Sequence, residues 1–194
     1  IFNCLNSIDY YILKNETDKA SDYLNRFSRL IRLILQNSSA NYVNLKDELE
    51  ALKLYMEMES LRFDNKFRYE VCVARGLDLD GVEIPPMLFQ PYVENAIWHG
   101  LMHKAGVGKV SLTLSRDDNV LHCIIQDDGI GREEAQRLKS KASVRKKSMG
   151  MSITNDRIEL INRLYDSNTK VRVIDLKDDK GKALGTRVEL DIPL

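Results

Sequence analysis

Four short stretches bring together residue types that can do chemistry. Asn95, with Glu94 before it, stands four residues ahead of His99, so on a helix Asn95 and His99 share one face. A side-chain amide oxygen is a hard ligand suited to Mg2+, which keeps several waters and takes few protein oxygens where phosphates supply the rest. Asp127-Asp128-Gly129-Ile130-Gly131 follows the apolar run Leu121 to Ile125. A carboxylate there can accept a hydrogen bond from an exocyclic amine, and glycines let the backbone turn sharply and approach a flat ring, which suits a purine pocket. Arg145, Lys146 and Lys147 precede Ser148-Met149-Gly150. Cations beside a helix that opens at Gly150 would place positive charge next to free backbone amides, an arrangement that favours a polyphosphate. Gly185-Thr186, before the closing strand, marks a turn. Taken singly, each stretch has an ordinary counterpart: a solvated helix face, an Asp-Gly turn, a solvated basic loop.

The elements that must carry these residues follow from apolar periodicity. From residue 1 to about 64 apolar residues recur at helical spacing, at Phe2, Leu5, Ile8 and Ile12, then Leu24, Phe27, Ile31 and Ile34, then Leu45, Leu49, Leu52 and Met56. Lys14 to Thr17, with Thr17 as a cap, interrupts the first arm, and Gln36 to Asn44 reads as a polar turn. Helices of this size bury little alone, so the stripe is expected to pair with a second copy as a four-helix bundle; packing only on the rest of the chain is the other option. From Phe67 the period becomes two, over Phe67, Tyr69, Val71 and Val73. A helix over Met87–His103 should follow, then strands near 109–115 and 120–126, a short helix around 132–139, a polar segment 140–148, a helix over 150–165 and strands near 170–176 and 186–192. Helices among mostly hairpin-joined strands predict an α+β chain whose second part, 65–194, is a two-layer sandwich on a mixed sheet.

Composition narrows the function classes. Lys plus Arg and Asp plus Glu both number 29, giving zero formal net charge over 194 residues, so no overall field draws the chain to nucleic acid or anionic lipid. No basic stripe is interleaved with aromatics, and no run approaches the roughly 18 apolar residues of a membrane span. Cys4, Cys72 and Cys123 are odd in number, widely separated and set in apolar-periodic stretches, which reads as reduced core thiols. His99, His103 and His122 lie near no nucleophile-elbow serine, and no HExxH or paired-cysteine pattern exists, so hydrolytic triads and zinc are not expected. The chain opens at Ile1 without a Met and is expected to be a piece of a longer one.

The order of the four stretches adds specificity. Glu94-Asn95 on a helix, Asp127 to Gly131 after a strand, Gly150 opening a helix and Gly185-Thr186 near the end resemble the conserved boxes of the Bergerat ATP-binding fold of gyrase, MutL and histidine kinases. Pro85-Pro86-Met87-Leu88, Gln90-Pro91, Val93 to Ile97 and His99-Gly100 resemble the LytS/YesM-like sensor histidine kinases more narrowly. So do Phe2-Asn3, Leu5-Asn6 and Ile8, which look like the stretch after the phosphoacceptor histidine, and Leu45 to Phe63, with Glu48, Tyr55, Glu59 and Leu61-Arg62-Phe63.

The resemblance implies a helical dimerisation region at 1–64 and a Bergerat-type ATP-binding domain at 65–194, a homodimer through the first helices, and ATP with Mg2+ as ligands. The acceptor histidine of the family's Pro-His-Phe triplet would precede Ile1, so no residue of this chain is expected to be phosphorylated. Asn95 resembles the Mg2+ ligand, with Glu94 supporting through water; Asp127 the reader of the adenine amine; Gly129 and Gly131 the base-pocket glycines. Gly150, His99, Lys146 and Lys147 would lie near phosphate, and Thr186 would contact adenine through water. The chain departs from the family at Trp98, where a basic residue is common, and at Ser148, where glycine is usual. Pro91 stands where related ATPases carry a water-activating glutamate, which disfavours hydrolysis. The implied activity is phosphoryl transfer from ATP to histidine and onward to the aspartate of a response-regulator receiver domain, in a cytoplasmic piece of a membrane-anchored sensor with neither nucleic acid nor membrane contact of its own. Trp98 and Ser148 motivate the alternative, a nucleotide-binding scaffold without kinase turnover.

Overall fold

The computed structural model describes residues 2–142, 162 and 168–194. Helices α1 (Phe2–Leu13) and α2 (Thr17–Ser38) are separated where Asn15 turns left-handed, at φ 57°. Thr17, expected as a cap, is the first residue of α2, and Glu16 stands at the cap position without a side-chain capping bond, its carboxylate instead meeting Lys19 at 3.0 Å. Strand β1 (Val43–Asn44) leads into α3 (Leu45–Arg62), whose first turn is capped by the Asn44 side chain accepting from the Asp47 amide at 2.8 Å. Asp64 and Asn65 take left-handed conformations just past α3 and end it.

Helix α3 is apolar on two sides, which explains why its sequence lacks a single clean stripe. Leu54 and Met58 pack with Tyr11, Ala20, Tyr23 and Leu30 of α1 and α2, while Leu45, Leu49, Leu52 and Met56 lie in the larger core under the sheet. Tyr55 touches both clusters. Glu48, 3% exposed, is buried with cause: its carboxylate accepts from the Met87 amide at 2.8 Å and the Phe89 amide at 3.4 Å. It thereby satisfies donors of the chain entering the next helix.

The larger core is a sheet covered on one face. Strands β2 (Phe67–Val73), β4 (Gly108–Asp117), β5 (Val120–Asp127), β6 (Lys170–Lys177) and β7 (Ala183–Pro193) are ordered β2-β4-β5-β7-β6, with β2 and β4 parallel and the other neighbours antiparallel. Val110, Leu112 and Leu114 of β4 and Leu121, Cys123 and Ile125 of β5 alternate inward against the helices. A short β3 (Glu83–Ile84) pairs with β1, which the polar composition of 36–44 did not suggest. This is the α+β sandwich expected. Cys72 departs from the reading of core thiols, because the alternation that turns Phe67, Tyr69, Val71 and Val73 inward leaves it exposed; Cys123 is buried, and the Cys4 side chain is not described.

The helix expected over Met87–His103 is shorter and broken. Pro85 and Pro86 cannot donate backbone hydrogen bonds and Met87 sits at φ 57°, so α4 spans only Gln90–Asn95, with Pro91 in its first turn. A π-helical segment, Ala96–Leu101, continues from it, and the Met102 amide reaches the Ile97 carbonyl, five residues back, at 3.0 Å. Helix α5 (Arg132–Ala142) follows the Asp127–Gly131 loop. The segment expected at 140–148 and the helix expected at 150–165 lie largely outside the described residues.

Candidate functional site

Asp127 closes strand β5, opposite Val110 of β4 and Thr186 of β7. Its side chain belongs to the alternating set that faces the core, so a carboxylate is carried to the end of the sheet and left 4% exposed. Burial pushes its pKa up to about 6, against the lowering effect of backbone donors from Gly129 and Thr186. The Gly129 amide donates to Oδ1 at 2.8 Å. The second carboxylate of the pair is differently placed. Asp128 accepts from the Lys109 amide at 2.7 Å and meets the Lys104 ammonium at 2.8 Å, while its own amide donates to the Lys109 carbonyl at 3.1 Å. Asp128 therefore fastens the loop through a cation and a backbone amide, whereas Asp127 is buried on backbone amides of Gly129 and Thr186.

Glycine backbones crowd this carboxylate. A Cβ at Gly100 would fall 2.7 Å from Asp127 Oδ1, one at Gly129 would strike the Gly100 backbone, and one at Gly185 would strike the Asp127 carbonyl. Gly185 also sits at φ 130°, inside β7. The turn expected at Gly185-Thr186 is thus a close approach of two strands instead. The Ile130 amide donates to the Gly100 carbonyl at 3.2 Å, so the loop is fixed to the π-helical segment as well. These glycines let backbone pack on backbone around the carboxylate, a cradle that holds Asp127 in place and that a Cβ at any of the three would break.

The remaining candidates are positioned unevenly. Asn95 ends α4 and His99 lies within the π segment; both are half-buried. The wider turn beginning at Ala96 replaces the regular α-helical face on which the two were expected to align. Glu94 accepts from Gln90 Nε2 at 2.9 Å along its own helix. Trp98 turns to the other side: its ring meets Phe63 edge-on at 5.2 Å and lies under the Arg62 guanidinium at 4.6 Å, joining the end of α3 to the π segment. Lys146, Lys147 and Gly150 lie outside the described residues. Gly131 stands at φ 78° with Ala183 against it. Gly100, packed against Asp127, is the residue that the pattern reading passed over, and Gly185 is the one that it read only as a turn. An isolated glycine in a helical pattern, which costs about 1 kcal/mol relative to alanine, was the available signal for Gly100.

Among the described residues no cluster of three or more His, Cys, Asp or Glu side chains could hold a metal ion. A Mg2+ held here would depend on phosphate oxygens, with the Asn95 amide oxygen as a protein contribution, which is a donor set this ion accepts.

Comparison with known proteins bears on the family and the fold. A family profile described as histidine kinase matches residues 1–67. The sensor protein LytS of Oceanobacillus iheyensis is 34% identical over 134 residues, 69% of this chain, and the chain spans 22% of that relative's length. The histidine kinase domain of the Erythrobacter litoralis EL346 blue-light-activated kinase superposes with a TM-score of 0.52 at 19% identity, over 88% of this chain and 74% of that one. Histidine kinase ThkA, in its complex with the response regulator TrrA, superposes with a TM-score of 0.51 at 16% identity, over 98% of this chain and 57% of that one. The structural likenesses establish the fold, that of the ATP-binding domains of histidine kinases. With the profile over the first helices and the LytS relationship over most of the chain, they lead to one conclusion: the chain belongs to the histidine kinases, among relatives of the LytS type.

Proposed function

We propose that this chain is the catalytic core of a two-component sensor kinase, in which residues 65–194 bind Mg-ATP and residues 1–64 dimerise and deliver the acceptor histidine. The observation that carries the reading is the buried Asp127 carboxylate inside a cradle of Gly100, Gly129 and Gly185. Its free acceptor capacity suits the adenine amine, with Thr186 beside it at the same level of the sheet.

Phosphoryl transfer asks a protein for positioning and charge neutralisation more than for acid–base chemistry, because the loose transition state spreads charge over the phosphoryl oxygens. Bound Mg2+ supplies much of that neutralisation, with Asn95 as its ligand from this chain. Asp127 and the glycines fix the base end, while His99, Lys146, Lys147 and Gly150 serve the phosphate end. No glutamate stands at position 91 to activate water, so transfer to an imidazole is favoured over hydrolysis. In this reading the acceptor would be the histidine of the Pro-His-Phe triplet that the family resemblance implies, and the phosphoryl group would pass from it to an aspartate of a receiver domain.

Dimerisation would use apolar side chains that α1 and α2 leave in solvent, including Leu5, Ile12, Leu24 and Leu35. Among the described residues no helix is long and apolar enough to cross a membrane, consistent with a core that acts beside a sensor element supplied elsewhere. The test is labelled ATP incubated with a chain extended through the Pro-His-Phe triplet, with and without a cognate receiver domain. Acid-labile label on the extended chain that moves to the receiver supports the kinase reading. Nucleotide binding without label transfer would establish a scaffold instead.

A further inference from the structure

Arg132 follows the last glycine of the Asp127–Gly131 loop and opens α5. Its guanidinium meets Asp175 of edge strand β6 through two parallel bonds, Nε to Oδ1 and Nη2 to Oδ2, both 2.6 Å. A fork of this kind fixes orientation as well as distance, which a single contact does not. Asp175 is opposite Thr186 across β6 and β7, and Thr186 is opposite Asp127 across β7 and β5. One row of the sheet therefore carries Asp127, Thr186 and Asp175. The loop leaves that row at Asp127 and is tied back to it by Arg132.

Between those two anchors the loop has almost no slack. Gly129 lies on the Gly100 backbone, and Gly131 lies so close to Ala183 of β7 that a Cβ on it would come within 2.7 Å of the Ala183 Cβ. A small slide of the Arg132 end would pull Gly129–Gly131 off their contacts with Gly100 and Ala183, and with them the Gly129 amide that donates to Asp127. We propose that Arg132 and Asp175 are a positioning pair for the nucleotide loop, fixing from the edge of the sheet the place of Gly129–Gly131 and so of the Asp127 carboxylate, without touching the nucleotide. A neighbouring pair across the same seam, Lys177 Nζ to Glu133 Oε1 at 2.8 Å, is more exposed and lies past the loop, so it serves as the control.

The inference rests on the nucleotide reading of Asp127, and titration calorimetry separates the two. The unaltered chain, Asp175→Asn, Arg132→Lys, the swapped double variant Arg132→Asp with Asp175→Arg, and Lys177→Ala are each titrated with a non-hydrolysable ATP analogue and Mg2+. Asp175→Asn and Arg132→Lys are expected to raise Kd about tenfold at unchanged stoichiometry, since the fold persists and only the loop loosens. The swap should recover most of the affinity, and Lys177→Ala should leave it unchanged. Unaltered Kd in both single variants, or a loss seen only as lower stoichiometry from misfolded protein, would overturn the positioning role. Absence of binding by the unaltered chain would overturn the nucleotide reading itself, and this inference with it.

Discussion

Asp127 and Asp128 are adjacent carboxylates in opposite circumstances, and the contrast decides which of them can read a base. Asp128 is spent on Lys104 and the Lys109 amide, whereas Asp127 is buried with its pKa raised to about 6. A carboxyl whose folded pKa is raised contributes stability that is fully present below the unfolded value, near 4, and lost as pH rises through about 6. Asp127→Asn removes the buried charge, so at pH 8 thermal melting should show an unchanged or higher Tm. Nucleotide affinity should move the other way. The ionised form is the one that accepts from an adenine amine, and loss of a charge-assisted bond costs roughly 1.5–3 kcal/mol, about 10- to 150-fold in Kd. The unaltered protein should accordingly bind an ATP analogue more weakly as pH falls through about 6, and Asp127→Asn should lose that pH dependence. Gly100→Ala tests the cradle, since its Cβ would lie 2.7 Å from the Asp127 carboxylate; calorimetry should show adenine nucleotide binding reduced at least tenfold. The Asp-Gly pattern was visible in the sequence and the resemblance singled out Asp127, but the burial that separates it from Asp128 depended on strand register, and the importance of Gly100 depended on a contact with a loop almost thirty positions away.

At the scale of elements, α3 joins the two parts of the chain and the π-helical segment shapes the site. Periodicity disclosed α3 as a helix and β4 and β5 as strands, because each alternates against a core that its own sequence pattern reflects. It did not disclose that α3 is shared between two cores, since Leu54 and Met58 on one side and Leu45, Leu49, Leu52 and Met56 on the other overlay two stripes in one sequence. Nor did it disclose the π segment, which has the same apolar spacing as an α-helix over so short a span. Glu48 was legible only as part of a family pattern; the structure gives it a physical task, accepting the Met87 and Phe89 amides. Glu48→Ala would remove the acceptor of both amides, and denaturant unfolding should show a loss of about 1–3 kcal/mol. Because α4 begins immediately after them, the same variant should also weaken nucleotide binding through Asn95.

At the scale of the whole molecule, a zero net charge leaves association to shape and apolar surface. Leu24 and Leu35 project from α2 at 47% and 64% exposure although the helix lies in a packed three-helix arrangement. Sedimentation equilibrium should find a dimer, and Leu24→Glu with Leu35→Glu should yield a monomer whose ATP-analogue Kd is unchanged, because neither residue lies near Asp127's loop. The central claim is that the second part of the chain is a working adenine nucleotide site, and it is tested most directly by calorimetric titration with a non-hydrolysable ATP analogue, with and without Mg2+, beside the matching GTP analogue. The expected result is saturable, Mg2+-dependent binding of one adenine nucleotide per chain and much weaker binding of the guanine one. Equal affinity for both bases, or no binding at millimolar ligand, would contradict the account.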